Sequence, residues 1–400
     1  MKPPSSRRKG RLSLPRLPRM TRRIGRLALL VIAGLGVAVP AAALLTIDFE
    51  QAYYVHEDHQ VWDFCLVRSG SLYMLFYGAV PIAEPSILAS DHLWRSTSLD
   101  LVHWSPPAVV LSVDDGWESE ALWAPDVVFD EDSGYWWLAY TGVDDLRNQR
   151  IGIARSTNLL DWMRSPYNPV QEPEPPEFLY DPVAGWGECR DPFMYRSGEI
   201  WSMLTTVRTP EPPGDRTALA VCTSANPLDW SDPEVLLLNE GATPSAALES
   251  SQYHVRGDTH HLFFHEYATG GITHLGASDP SGWSFEDRTL IDQGLAPEID
   301  RFDGDHWLLS RVAPYQEPGQ DPLAFVVRVD TLSFGSAGQA PEVVRALPLE
   351  RWFASFVGNS VLGNPVFGDN PARRGEPSVG LVGNGYFGSA EYFQGPLSGR

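Results

Sequence analysis

The sequence predicts an all-β fold, a five-bladed β-propeller of four-stranded antiparallel blades, and three observations lead there. An acidic residue, a short apolar strand, a turn and an aromatic-rich strand recur in that order five times. The acids that open these units, Asp63, Asp126, Asp191, Glu249 and Glu298, stand 63, 65, 58 and 49 residues apart, which leaves room for four strands and their loops in each unit. The runs between them are β-branched or aromatic and bounded by Gly, Asp, Asn or Ser, and no long helical period competes with them.

Taken in order, residues 1–47 read as a signal peptide or membrane anchor. The first 26 residues carry ten Lys/Arg and no acid, and residues 27–45 form an uncharged apolar run with Ala41 and Ala43 near its end. That is the layout of a secretory signal, although about 18 apolar residues can also span a bilayer as a retained anchor. Thr21-Arg22-Arg23 fits a twin-arginine signal, but an Arg pair is also expected by chance in so basic a stretch. Either reading exports the chain, to be secreted, periplasmic or held at the outer face of a membrane.

Residues 48–350 read as the propeller, with 48–61 leading into the first blade. In four blades a Ser-to-Trp turn follows the third strand: Ser98 to Trp104, Ser156 to Trp162, Ser224 to Trp230 and Ser278 to Trp283. Leu101, Leu160 and Leu228 lie within the first three. The Ser is expected to cap each turn and the Trp to pack between adjacent sheets. Proline-rich loops at 172–176 and 210–213 cannot join a sheet interior and are expected at the rim of a cleft. Residues 351–400 are a Gly-rich tail, read as closing the propeller or starting an incomplete β-module.

Beyond residue 26 all 51 acids remain against 20 arginines and no lysine, a net charge of −31. Such a body repels phosphate backbones, so nucleic acid is excluded as a partner, and an oligo- or polysaccharide is compatible. Membrane contact is expected only through the N-terminal segment. Cys65, Cys189 and Cys222 lack zinc-site spacing and can be one disulfide plus a thiol, or three buried thiols. The histidines at 254, 260, 261, 265 and 274 cluster in the fourth repeat, where His261 and His265 around Phe263-Phe264 fit ordinary strand faces. No metal and no cofactor are expected.

The first strand of a propeller blade lines the axis, so the five opening acids should converge there as a ring of carboxylates. Like charges held close cannot all ionise, so their pKa values separate, as acid/base chemistry requires. Glycoside cleavage needs one carboxylic acid to protonate the leaving oxygen and one carboxylate to attack the sugar carbon or activate water. Capping of turns is the competing role for any single Asp, and five in register argue against it.

Arg190-Asp191-Pro192 resembles the Arg-Asp-Pro motif of invertases and levanases, and Trp123-Ala124-Pro125-Asp126 resembles the Trp-Ala-Pro segment of arabinanases and β-xylosidases. With the Ser-to-Trp turns, these residues make the chain similar to five-bladed propeller glycoside hydrolases, levansucrases included, over about residues 55–315. The resemblance implies Asp63 as nucleophile or general base, Asp191 as the group that holds sugar hydroxyls, and Glu249 as general acid. Trp62 and Trp123 offer flat apolar faces on which sugar rings can stack, and with Asp126, Arg190 and Glu298 they are the candidate substrate-binding residues. The first motif lacks the Asn-Asp-Pro of invertases, and Ser250-Ser251 follow Glu249 where invertases carry Cys-Pro. The expected activity is hydrolysis of β-fructofuranosides of sucrose, levan or inulin type. The rivals are an arabinofuranosidase, arabinanase or β-xylosidase on the same fold, and a non-catalytic carbohydrate-binding propeller. An attacking Asp63 implies retention of configuration, and a water-activating Asp63 implies inversion.

Overall fold

The structure is a computed structural model, and it describes residues 52–344 apart from 84–85, 180–186, 211–215, 240–246, 304–305, 316–323 and 336–338. The N-terminal segment and the Gly-rich tail lie outside the described residues. After a two-residue strand β1 (Tyr53–Tyr54), blade one comprises β2 (His59–Ser69), β3 (Leu72–Pro81), β4 (His92–Ser98) and β5 (Ala108–Ser112). Blade two comprises β6 (Ala121–Asp130), β7 (Tyr135–Val143), β8 (Gln149–Ser156) and β9 (Met163–Arg164). Blade three comprises β10 (Cys189–Ser197), β11 (Ile200–Thr209), β12 (Arg216–Ser224) and β13 (Glu234–Leu238). Blade four comprises β14 (Leu248–Arg256), β15 (Thr259–Glu266), β16 (Gly271–Ala277) and β17 (Thr289–Gln293). Blade five holds β18 (Leu295–Asp303), β19 (His306–Tyr315), β20 (Ala324–Ser333) and β21 (Glu342–Val344).

Each of the first four sheets runs in sequence order, all antiparallel. Their hairpins are tight because single residues take the left-handed region that the turns demand, as Gly198 (φ 62°) and Gly257 (φ 61°) do. The last blade is joined by the lead-in to the first: β1 pairs with β20, Tyr53 opposite Arg328 and Tyr54 opposite Val327, while β21 continues the same edge from Thr331 onward. The lead-in expected before blade one thus supplies an outer strand of blade five. Tyr54 also ties back to blade one, with its hydroxyl 2.6 Å from that of Tyr77 and receiving a bond from Ser96 at 3.0 Å.

The core is not central. It is divided into apolar seams between neighbouring sheets, as expected where each sheet must bury both faces against others. One seam joins Phe64, Leu75 and Tyr77 of blade one to Leu308, Val312 and Val329 of blade five. The others join blades one and two, two and three, three and four, and four and five. Trp104, Trp162, Trp230 and Trp283 each pack against a different one of these seams, the role expected of the repeated Ser-to-Trp turns.

The caps form as well: Ser98 Oγ accepts from Leu101 N at 2.8 Å and Ser156 Oγ from Leu159 N at 2.9 Å. One leucine is reassigned. In the second turn Leu159, not Leu160, is the buried equivalent of Leu101; both adopt φ 63°, and Leu160 is left 54% exposed. The left-handed residue must fall three places after the Ser for its N–H to reach the hydroxyl, which fixes Leu159.

All three cysteines are free and buried. The blade-four histidines are all buried or half-buried. His254, His261 and His274 pack with Phe263, Trp307 and Phe334 between blades four and five, with His261 Nδ1 2.9 Å from His274 Nε2. Burial drives His254 and His274 down to about 3 and His261 to about 4, so the three are neutral packing groups at ordinary pH. No helix among the described residues is long and apolar enough to cross a membrane.

Candidate active site

The first strands β2, β6, β10, β14 and β18 touch one another in succession, and β18 touches β2 again. Each breaks register against its neighbour near its start, between Val61 and Phe64, Trp123 and Asp126, Arg190 and Phe193, Glu249 and Gln252, and Leu295 and Glu298, and β18 does so again between Arg301 and Asp303. These are β-bulges, which bend a strand and re-aim its side chains. In four of them the first extra residue is non-glycine with positive φ: Ala124 (43°), Asp191 (55°), Ser250 (53°) and Ala296 (46°). Backbone strain of this kind is held only where the surroundings over-determine it.

The bulges correct the expectation that the five acids stand in register. Asp191 occupies the first bulge place and Asp63 the second; Glu249 precedes its bulge, whereas Asp126 and Glu298 follow theirs. The acids therefore divide among different environments. A pocket of about 280 Å³, counting its open mouth, is lined from all five first strands, and Asp63, Asp191 and Glu298 are its carboxylates. Phe64, Phe193, Pro125 and Pro192 supply apolar wall. Asp126 turns away from the pocket, and its Oδ2 accepts from Met194 N of blade three at 2.6 Å. Burial pushes its carboxyl up to about 7.

Glu249 lies behind the wall, 1% exposed. Its Oε1 accepts from the Tyr267 hydroxyl and lies 3.4 Å from His265 Nδ1, and its Oε2 lies 3.3 Å from Arg190 Nη2. Burial alone would raise this carboxyl, but His265, Arg190 and Tyr267 together bring it below the ordinary glutamate value. Asp191 is set the other way: burial, opposed by Arg190 and reinforced by Glu249, pushes it up to about 7. Its Oδ2 accepts from Thr206 Oγ1 and Ser250 N, each at 3.2 Å, and lies 3.5 Å from Arg190 Nε. One guanidinium thus spans both acids, and the two titrate as a pair.

Arg190 is 3% exposed and is further held by Glu188 Oε2 at 2.8 Å and Gln149 Oε1 at 3.3 Å. It faces protein acceptors and is not part of the pocket wall. Trp62 and Trp123 are buried too; Trp123 packs among Ala121, Ala124, Val143, Ile87 and Leu88 and donates Nε1–H to Ile87 O at 2.9 Å. Glu298 stays on the wall, accepting from Gln252 Nε2 at 2.9 Å. Burial, with Asp126 and Asp300 nearby, pushes it well above the ordinary range.

Four residues of this constellation carry no site role in the sequence reading. Glu188 sits inside the motif that contains Arg190, and Asp300 shares a strand face with Glu298 by the period of two. His265 is the direct cross-strand partner of Glu249, and Tyr267 follows two residues later.

Asp300 yields a pH prediction. Burial and then Asp126 push it up to about 7 from 3.8, so the folded chain holds a proton that the unfolded chain has released. The stability this proton confers is full below about pH 3.8 and is lost as pH rises through about 7. Asp300→Asn is therefore expected to lie close to the wild type near pH 4 and to exceed it by on the order of 4 kcal/mol near pH 8. Urea unfolding at both pH values checks this, and the histidine contributions cancel in the difference between variant and wild type. A ΔΔG that does not change with pH would show that Asp300 is ionised in the fold.

A family model described as "Glycosyl hydrolases family 32 N-terminal domain" matches residues 65–255. A search of curated proteins gives no match. Among solved structures, fructan 1-exohydrolase IIa from Cichorium intybus is similar at 16% identity and TM-score 0.57, covering 74% of this chain and 60% of that one. An exo-1,5-α-L-arabinanase from a bovine ruminal metagenomic library is similar at 13% identity and TM-score 0.53, covering 73% and 100%. Inulosucrase from Halalkalicoccus jeotgali, bound to kestose, is similar at 14% identity and TM-score 0.53, covering 72% and 88%. The family match and the five-bladed fold support a glycoside hydrolase, similar to the propeller enzymes that its Arg-Asp-Pro and Trp-Ala-Pro segments resemble.

Proposed function

We propose that this glycoside hydrolase is exported and cleaves β-fructofuranosides, with Asp63 attacking the sugar carbon or activating water, Asp191 holding sugar hydroxyls and Glu249 donating the proton. The observation that carries the reading is the coupling of pocket and proton store: Asp63 and Asp191 line one small axial pocket, and Asp191 shares Arg190 with the buried Glu249.

The charge count supports one acid and one base in the pair. The guanidiniums of Arg190 and Arg208 and the imidazole of His265 face the carboxyls of Glu188, Asp191 and Glu249. The two guanidinium charges balance two of the three acids, so the buried cluster favours keeping one proton. Glu188 is paired with both arginines. Burial favours a proton on Asp191 before sugar binds. Sugar hydroxyls donating to Asp191 favour its ionised form, which shifts the proton to Glu249. To use it, the Glu249 carboxyl exchanges Tyr267 for the leaving oxygen.

The fructoside assignment is supported by the family 32 match and by the Arg-Asp-Pro motif. An arabinoside reading is supported by Trp123-Ala124-Pro125-Asp126 and by similarity to the arabinanase. Release of sugar from sucrose, levan, inulin, arabinan and aryl glycosides separates them. Fructose release is expected, and turnover of arabinosides alone overturns the assignment. Oligosaccharide binding without turnover of any substrate favours the non-catalytic rival.

A further inference from the structure

We propose that His56, Asp58 and His59 form a binding site for a divalent transition cation of the zinc class, which clips the chain where it passes from the closing strand on blade five into blade one. This segment lies outside the axial pocket, and the proposal does not depend on the hydrolase reading. His56 Nδ1 lies 3.1 Å and His59 Nδ1 2.7 Å from the same oxygen, Asp58 Oδ1, and the potential ligand atoms of the three residues all lie within 4.8 Å of one another.

Neighbouring residues 58 and 59 of a straight strand would point to opposite faces. Here a bend at Glu57–Asp58 brings them together. The bend is fixed by Ile82 N donating to Asp58 O at 3.1 Å and by the pairing of His59 with Pro81. The ligand set is thus held by backbone contacts to β3.

The two rings are also held from behind. His56 is 5% exposed and meets the rings of His59, Trp94 and Tyr77 edge-on, at centroid distances of 4.6, 5.5 and 6.0 Å. His59 leans on Trp94 as well. This packing buries His56 Nε2 without a hydrogen-bond partner, so Nδ1 is the nitrogen the ring presents, and it presents it to Asp58. Asp58 itself is 75% exposed, which leaves the outer side open to water as a further ligand.

The chemistry selects the ion. Two imidazole nitrogens and one carboxylate oxygen are a mixed set suited to zinc and its neighbours, whereas calcium and magnesium demand all-oxygen shells. Zinc bonds of about 2.0–2.2 Å put tetrahedral ligand atoms roughly 3.3–3.6 Å apart. The present distances of 2.7 and 3.1 Å need only a small outward adjustment by exposed Asp58.

The consequence is structural. Two residues before His56, Tyr53–Tyr54 hold the edge of β20, so an ion at 56–59 joins the ring's closing strand to the first strand of blade one. An ion that binds the folded chain and not the unfolded one raises the unfolding midpoint.

The test uses the tag-free full chain, stripped with a chelator and titrated calorimetrically with Zn²⁺. One ion per chain is expected, with affinity at least about tenfold weaker in His59→Ala and in Asp58→Ala and no competition from Ca²⁺ or Mg²⁺. Co²⁺ at the same site should give visible absorption bands that both variants lose, and Zn²⁺ should raise the thermal midpoint of the wild type alone. Buried His56 is avoided because its removal can unfold the blade. Absence of stoichiometric binding, or binding unchanged by both substitutions, overturns the proposal.

Discussion

Glu249→Gln is expected to lower kcat on a β-fructoside by at least about a hundredfold, the usual contribution of a positioned acid, and Asp63→Asn by as much or more. The two losses should differ in kind. A leaving group that departs without a proton needs no general acid, so an activated aryl glycoside should recover most of the Glu249→Gln loss and none of the Asp63→Asn loss. Gln keeps the shape and one acceptor for Tyr267, so the fold is preserved. The comparison that gives the experiment its force is Glu298→Gln. Glu298 lines the pocket, and burial holds its carboxyl protonated well above the ordinary range, whereas Glu249 sits behind the wall with a lowered value. If dependence on the leaving group appears in Glu298→Gln and not in Glu249→Gln, the proton donor is in blade five and the proposed triad is wrong. If Glu298→Gln raises KM with kcat nearly unchanged, Glu298 binds sugar.

The blades were legible because their information is local. A hairpin needs two strand-like runs and a turn, all within about twenty residues, and the Ser-to-Trp turns repeat this cue once per blade in the first four. What the sequence does not display is anything set by one extra residue or by the far end of the chain. Strand β1 is two residues long, too short for a period, and its partner lies in the last blade. The bulges are similar: an inserted residue leaves the spacing between opening acids plausible while moving each acid to a different place on its strand. A cue did exist, since Pro125, Pro192 and Pro297 fall in the second bulge place of three blades, and proline is tolerated in a sheet mainly at edges and bulges.

The site was legible to the same degree. Asp63 and Asp191 reach the pocket because axial strands converge, which follows from the fold class alone. That Asp126 bonds Met194 of the next blade, and that Trp123 fills a small apolar cluster, depends on side-chain direction after the bulge. The partners of Glu249 depend on cross-strand register, which pairs it with His265. A single residue's shift in register would have put a different residue there.

Glu188→Gln is expected to damage the protein twice, once in stability and once in proton supply, and the second effect is the more informative. Glu188 is fully buried and receives Arg190 Nη1 at 2.8 Å on Oε2 and Arg208 Nη2 at 2.9 Å on Oε1. Breaking a buried network on one side costs roughly 3–5 kcal/mol because the opposite charge is left uncompensated, so urea unfolding should show a loss of that order. The neutral glutamine also changes the count around the catalytic pair. Two guanidiniums then face only Asp191 and Glu249, both can ionise against them, and the cluster no longer favours a retained proton. Asp191, now near 7 because burial outweighs Arg190, should fall toward the ordinary carboxylate range. The alkaline limb of the kcat profile should therefore move to lower pH by about one unit or more, with activity partly restored in acid. Measured below the variant's own unfolding temperature, a uniform loss of activity with an unmoved alkaline limb would show that Glu188 only holds Arg190 in place and does not set the proton content of the site.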